Sequence, residues 1–502
     1  MIKIRENAGA NGAAADFGLK AIPFKPEAFA AAESLGCEMK HKTMKALLKI
    51  FIAGQFLAGI EQVAGQGSLD AYHTGTGADD AVQTLAVQND GKIIAAGLFD
   101  DINGTANSLG VARLNTDGSV DSSFDPGTSV DYGINSVAIQ TDGKIILAGG
   151  FTQYQGMSRN GIARINSNGL LDTTFDPGIG ANNEINSVAI QADGKAVIGG
   201  NLTAYNGTAR SGIARVNSNG SLDTTFAPGT GVNFAIDSVS VLTNGQILIA
   251  GGFTTYNGAS RRGVARINAN GSLDTTFNPG AISVDNLVRV ALPQPDGKVI
   301  IGGDFATFNN VSRNGIARLN ADGTLDTTFN PGTGANGPVL SLAIQPNGKI
   351  MVAGSFSTVN SSPLSGIARL LPNGAVDTDF NPGTGANTSV EALALQADGK
   401  VVLGGAFTTF DGQSDVRLAR LLLNDPPPVS IIIGITDSAG NVVLNWPATK
   451  NAAYRAEYKS SLTNVNWTPL LPYVMAPGSS AGVTNNPAGD AQRCYRVAWL
   501  PF

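Results

Sequence analysis

Few residues in this chain could do chemistry. Its 502 residues include two histidines, His41 and His73, and two cysteines, Cys37 and Cys494, which is too few for a Cys/His metal cluster or a disulfide scaffold. A Ser–His–Asp relay has almost no imidazole to draw on. No Gly-rich loop precedes a helical pattern as a phosphate-binding loop would, so no cofactor is expected. Acid–base work by carboxylates needs only two of them suitably spaced. Three charged residues invite that reading: Asp237, Arg289 and Glu391 occupy one equivalent position of a repeat, with Gln83, Asn135, Asn186 and Leu340 as their counterparts. Variation at an otherwise repeated site suits a specialised mouth, although a solvated rim varying freely is the simpler account. A second group suits recognition. Tyr132 and Phe234 have no counterparts in other repeats, while Tyr154, Tyr205, Tyr256, Phe308 and Phe410 recur, as do Arg159, Arg210, Arg261 and Arg313. Aromatics beside polar groups fit sugar faces or peptides, and the recurrent aromatics read as packing under loops.

The elements that must position these residues are strands. Gly-Lys, once Gly-Gln, stands at Gly91, Gly143, Gly194, Gly245, Gly297, Gly348 and Gly399, spaced 51 or 52 residues apart. The arginines Arg113, Arg164, Arg215, Arg266, Arg318, Arg369 and Arg420 keep the same spacing. Within a unit, such as the one beginning at Ile134, four short apolar runs alternate with Asn-Gly or Asp-Gly pairs and helical periodicity is absent. Those pairs predict type I′ hairpins, in which both central residues need positive φ. Four antiparallel strands per unit cannot bury both faces alone and must stack, so the expectation is an all-β, seven-bladed propeller of four-stranded blades. After Arg420 the fourth run is missing, yet an orphan one, Gly67 to His73, precedes the first unit. That N-terminal strand is expected to close the last blade, with His73 in the place that Phe124 holds one repeat later.

Six of the seven repeated arginines have an aspartate eight residues on, as in Arg164 with Asp172. A pair present in every blade predicts a structural charge-assisted contact, with Asp70 completing Arg420 across the closure. The Asn/Asp-Gly segments are a poor Ca²⁺ loop and a good turn, so no metal is expected. The hairpins joining runs one to two and three to four are short and uniform. Those joining runs two to three, and one blade to the next, vary and share the opposite face, where function concentrates.

The LDTTFNPGTG element at Leu325 to Gly334, with GIARLN at Gly315 to Asn320 and the Gly-Lys turn, resembles the delta-60 repeat family of bacterial β-propellers over residues 67–424. The resemblance implies a propeller, common in exported or surface proteins, with no general activity to carry over. Gln246 in place of Lys, VALPQPDGK in the fifth blade and FDDINGTANS in the first depart from the pattern.

Around this body the sequence changes character. Lys40, Lys42 and Lys45 precede an apolar stretch, Ala46 to Ile60, and small residues, so 39–65 reads as a secretory signal peptide and 1–38 as an over-extended gene start. Pro426, Pro427 and Pro428 make 425–428 a stiff linker. Residues 429–502, which hold Trp446, Trp467 and Trp499, resemble the small fibronectin type III-like sandwiches of secreted bacterial proteins. With 33 basic and 39 acidic residues the net charge is −6, which leaves no basic field for nucleic acid. The expectation is a secreted or cell-surface monomer, without a membrane span once processed, that binds a glycan or protein through its variable face and is not an enzyme. A carboxylate-based glycan hydrolase or lyase at the central mouth, and a purely structural surface component, stand as alternatives.

Overall fold

The computed structural model describes residues 66–423, apart from 71, 73, 74, 107, 108 and 129, and beyond them only the backbone of seven C-terminal strands. The expected gene-start extension 1–38, the signal peptide 39–65, the linker 425–428 and His73 lie outside the described residues.

The body is seven copies of one unit. In the second, Ile134–Ile139 pairs antiparallel with Ile145–Gly149, which pairs with Ile162–Ile165. The first strands of successive blades touch one another around the ring and line its axis. Alternation puts their inward residues half in solvent, whereas the second strand, covered on both faces, is buried throughout. This is why the second run reads as continuously apolar. Seven apolar clusters follow, each shared by two neighbouring blades: Ile146 and Ile162 of the second blade pack with Ile185 and Ile198 of the third. The cluster made by Val82, Ile93 and Phe99 with Val402 and Leu418 joins the first blade to the seventh. The ring is closed.

The fourth run differs from expectation. It makes a single bridge, Ile165 with Leu171 in the second blade, and then turns away. The cause is the aspartate that follows. Asp172 Oδ1 accepts the backbone N–H and the hydroxyl of Thr174 at 3.0 and 2.6 Å, which caps a turn and ends the strand. Its place as extra secondary structure is taken by a hairpin of two-residue strands, Gln153–Tyr154 with Met157–Ser158, set between the second and third strands.

Turn types also exchange places. At the Gly-Lys turns only the glycine has positive φ, as at Gly91 (83°). Gly91 N–H donates to Gln88 O, and Asp90 Oδ1 accepts from Lys92 N–H, a type I turn with a G1 bulge. The Asp or Asn is there to accept that N–H, not to adopt positive φ. The type I′ geometry occurs in the short hairpins, where Asn206 (46°) and Gly207 (75°) are both left-handed.

The last blade is completed from the other end of the chain. Leu69 bridges Leu421, Asp70 N–H donates to Arg420 O at 2.8 Å, and Leu422 N–H donates to Ser68 O at 3.1 Å. Beyond the propeller, two further antiparallel sheets form. Asn441–Pro447 pairs with Ile435–Ser438 and Ser480–Asn485, and Ala453–Lys459 pairs with Thr468–Pro469, Val474–Met475 and Cys494–Leu500.

Candidate binding site at the central mouth

One irregularity occurs in all seven blades. The pairing of each first strand with its second slips by one residue immediately after the first pair, so that Asn135 is left between Ile134, opposite Gly149, and Ser136, opposite Ala148. The same bulge leaves out Gln83, Asn186, Asp237, Arg289, Leu340 and Glu391. These are the seven members of the unrepeated position. A bulge re-aims the side chain it carries, and all seven line one central cavity of about 540 Å³, with Glu184, Asn201, Phe234, Ala235, Gly252 and Leu287. The glycine ending each second strand makes room for the bulge: a Cβ on Gly149 would lie 2.2 Å from Gly133 O.

Hydrogen bonds run around the rim from blade to blade. Asn135 Nδ2 donates to Glu184 Oε1 at 2.7 Å and to Ile185 O at 3.2 Å. One blade on, Asn186 Nδ2 donates to Ile236 O at 3.0 Å and Asp237 Oδ1 at 3.2 Å. Arg289 is held by Asp304, at 2.7 Å from Nη2, and its Nη1 is 3.8 Å from Asp237 Oδ2. Burial raises the Asp237 carboxyl above its ordinary range, opposed by the Arg289 charge and the Asn186 amide. Glu391 is also raised by burial, against a 2.9 Å hydrogen bond from Ser389 Oγ. The hydrogen bonds that Arg289 donates to Asp304 raise its own pKa further.

The two unrepeated aromatics part company. Phe234, 64% exposed, stands at the central cavity with its ring over Gly252, a glycine that Leu287 also covers. Tyr132, 65% exposed, lies over Gly150 and separates two grooves outside the centre, of about 430 and 260 Å³. Glu184 lines both the larger groove and the central cavity. The recurrent aromatics are buried, and the hydroxyls of Tyr154, Tyr205 and Tyr256 donate to Gly169, Gly220 and Gly271 carbonyls at 2.6–2.9 Å. Arg159, Arg210, Arg261 and Arg313 are not brought to the central cavity. Each donates Nη1 to the carbonyl of the residue before it at 2.7–2.8 Å. Leu364 fills the corresponding place in the sixth blade and is buried, which marks these arginines' aliphatic stems as packing.

At the opposite ends of the strands the repeated charges form one scaffold cluster per blade. Asp172 Oδ2 accepts Arg164 Nε at 2.7 Å and Lys144 Nζ at 2.8 Å. Arg164 also donates to Ser218 O of the next blade, and its guanidinium lies 5.0 Å above the Phe175 ring. Thus the Gly-Lys, Ala-Arg and Asp markers, separate in the sequence, are one site. At the closure Arg420 binds Asp70 at 2.6 Å and Lys400 reaches the same carboxylate at 2.9 Å. The ring beneath Arg420, at 4.2 Å, is Tyr72 rather than His73. Only Ala71 separates Asp70 from Tyr72, where two residues separate Asp121 from Phe124, so counting back one repeat overshoots by a residue. In the fourth blade Gln246 Nε2 donates to Asp274 Oδ2 at 2.9 Å in the lysine's place.

Sequence reasoning missed Glu184, Asn201 and Leu287. The signal available was that Glu184 and Leu287 stand where other blades have Ala81, Gly133, Ala235, Pro338 and Ser389. Among the described residues no group of three or more His, Cys, Asp or Glu is placed to hold a metal ion. No helix among them is long and apolar enough to cross a membrane.

Seven segments, 88–124, 140–175, 191–226, 242–277, 294–329, 345–380 and 396–425, match the family described as "Domain of unknown function (DUF5122) beta-propeller". The chain carries seven DUF5122 β-propeller repeats. Most matched segments start just before the Gly-Lys turn and end at the ring under the arginine, so the DUF5122 repeat covers the scaffold cluster. The bulge residues, Tyr132, Glu184 and Phe234 all fall outside the matched segments. No curated protein matches the chain. Among solved structures it is similar to the WD40 β-propeller domain of Doa1, with 16% identity and a TM-score of 0.44, over 71% of this chain and 95% of that one. It is also similar to XC5397 from Xanthomonas campestris, described as a gluconolactonase, with 13% identity, a TM-score of 0.34 and coverage of 73% and 93%. A protein of unknown function from Bacteroides caccae is 17% identical, with a TM-score of 0.28 over 49% of this chain and 79% of that one.

Proposed function

We propose that this protein is an exported, non-enzymatic propeller that binds a glycan through its variable-loop face, centred on the mouth, with the C-terminal strands forming a fibronectin type III-like attachment or spacer module. One observation carries the reading: seven bulges turn seven side chains, of six types, into a single cavity, beside the exposed Phe234 ring. An apolar ring next to amides and carboxylates matches the alternating apolar and hydroxyl faces of a sugar. Tyr132 gives a longer glycan a second ring to rest on. Export rests on the basic and apolar pattern of residues 39–65. A protein partner engaging the same face is the second form of the binding reading.

The test is a glycan-array measurement on the full chain beside a Tyr132→Ala, Phe234→Ala variant checked for folding by circular dichroism. Saturable binding that the variant loses supports the reading, and absence of binding to every glycan refutes it. The raised carboxyls of Asp237 and Glu391 in one cavity favour a hydrolase or lyase as the competing reading. Polysaccharide cleavage abolished by Asp237→Asn or Glu391→Gln would establish that reading instead.

A further inference from the structure

The hydrogen-bonding inventory of the mouth is lopsided. Asn135 and Asn186 each spend both amide N–H groups on the neighbouring blade, so each is left with only its carbonyl oxygen for a ligand. Gln83 Oε1 is buried at the cavity wall with no donor to satisfy it. Three carboxylates, Glu184, Asp237 and Glu391, line the same space against one guanidinium. That guanidinium is partly committed: Arg289 gives Nε and Nη2 to Asp304, and its Nη1 faces Asp237. Among the described residues neither Glu184 nor Glu391 has a lysine or arginine in ion-pair range. The donors still available are Arg289 Nη1, 3.8 Å from Asp237 Oδ2, and the Gln83 and Asn201 amides, fewer than the open acceptor positions of three carboxylates and three amide carbonyls. An unmet buried acceptor is costly, and a charged donor satisfies it best.

We infer that the mouth selects a glycan bearing a free, protonated amine, an amino sugar rather than its N-acetylated form. This rests on the glycan reading above. The ammonium sits among the carboxylates and amide carbonyls, and the sugar's apolar face lies on Phe234, whose ring stands over Gly252. Acetylation removes the charge and two of the three donor hydrogens, and adds an acceptor to a site that already has a surplus. The cavity, about 540 Å³, falls within the usual range for small-molecule sites, roughly 300–1,000 Å³.

Isothermal titration of the full chain in buffers from mildly acidic to neutral, a range that keeps the amine charged at one end and ionises the raised Asp237 and Glu391 carboxyls at the other, tests this with three probes: a β-1,4-linked glucosamine tetramer, the N-acetylglucosamine tetramer and spermidine. The glucosamine tetramer is expected to bind at least about tenfold more tightly than either of the others, the difference that one charge-assisted contact makes. Glu184→Gln and Glu391→Gln should narrow the ratio between the tetramers, while Phe234→Ala weakens both. An Asp142→Asn, Asp193→Asn variant, altered on remote turns, should bind as the unmodified protein does. Equal affinity for the two tetramers overturns the amine inference and leaves the glycan reading standing. Spermidine binding as tightly as the glucosamine tetramer overturns the sugar platform. Weakening by the remote-turn variant but not by Glu184→Gln reduces the effect to general charge attraction and also overturns the inference. Failure of both tetramers to bind overturns it together with the glycan reading at the mouth.

Discussion

Replacing Asp70 by Ala asks how much of the ring's stability rests on its seam. Asp70 accepts Arg420 Nη2 at 2.6 Å and Lys400 Nζ at 2.9 Å, with the Arg420 side chain 6% exposed and that of Asp70 18%. Removing the carboxylate leaves the guanidinium buried, its remaining partners the Thr116 carbonyl and the Tyr72 ring. Breaking a buried pair in this way costs about 3–5 kcal/mol. Water reaches Lys400, which is 25% exposed, so the expected loss is at the low end, about 3 kcal/mol. Urea unfolding reads the loss as a lower midpoint with an unchanged slope. Hydrogen exchange should show faster exchange at the Leu422 amide, which donates to Ser68 O across the seam. Because most of the penalty is the stranded charge, adding Arg420→Met should restore part of the loss, with a coupling of about 1–3 kcal/mol. A loss below about 1 kcal/mol, as for exposed pairs, or strict additivity in the double variant, would refute the argument.

Other outcomes follow from the same geometry. Gln246→Lys should add a second cation to Asp274, as in the other six blades, and raise stability by up to about 1 kcal/mol, since the lysines are partly exposed; urea midpoints decide it. The aspartates of all seven clusters have lowered pKa values, Asp274 to about 2 through its Thr276 and Arg266 hydrogen bonds, which outweigh the opposing effect of burial. Lowered carboxyls stabilise the fold above their unfolded value, near 4, and that stability drains away as pH falls through the folded values. The clusters' contribution should therefore be complete above pH ~4 and be lost below it, lowering the unfolding midpoint, and a chain equally stable at pH ~2 would contradict the cluster's role. Gly251→Ala would bring a Cβ to 2.2 Å from Ala235 O beside the Asp237 bulge. It should cost about 1–3 kcal/mol and weaken glycan binding at the mouth, which calorimetry can check. Tyr205→Phe removes a 2.9 Å bond to Gly220 O, for an expected loss of about 1 kcal/mol.

The blade count, the ring and its closure by the N-terminal run were readable from the markers because a repeat multiplies a weak local signal by seven. The bulge position was readable as unrepeated residues at a repeated site. That a bulge produces it was not, since one slipped pair alters no residue type except the facing glycine. Turn type was misread because Asn-Gly and Asp-Gly serve both geometries, and only the Asp90 side-chain bond to Lys92 N–H separates them. The scaffold cluster escaped notice as a unit because its lysine lies 28 residues from its aspartate in the second blade, on a different strand. Glu184 could be found only by aligning the blades at the loop, where spacing alternates between 51 and 52 and the columns slip.

The contact between Asp70 and Arg420 spans 350 residues, far more than any within a blade, and this sets an order in time. Local hairpins and neighbouring blades can assemble as the chain is made, while Gly67 to Asp70, near the beginning, must wait for Leu418–Leu422, near the end. Loop-closure entropy makes such a contact late. Until then Leu421 and Leu422 present an unpaired edge, and the segment that fits it is present in every other copy of the protein. At high concentration during refolding, one molecule's first strand can fill its neighbour's last blade, linking copies through the same bonds that seal one.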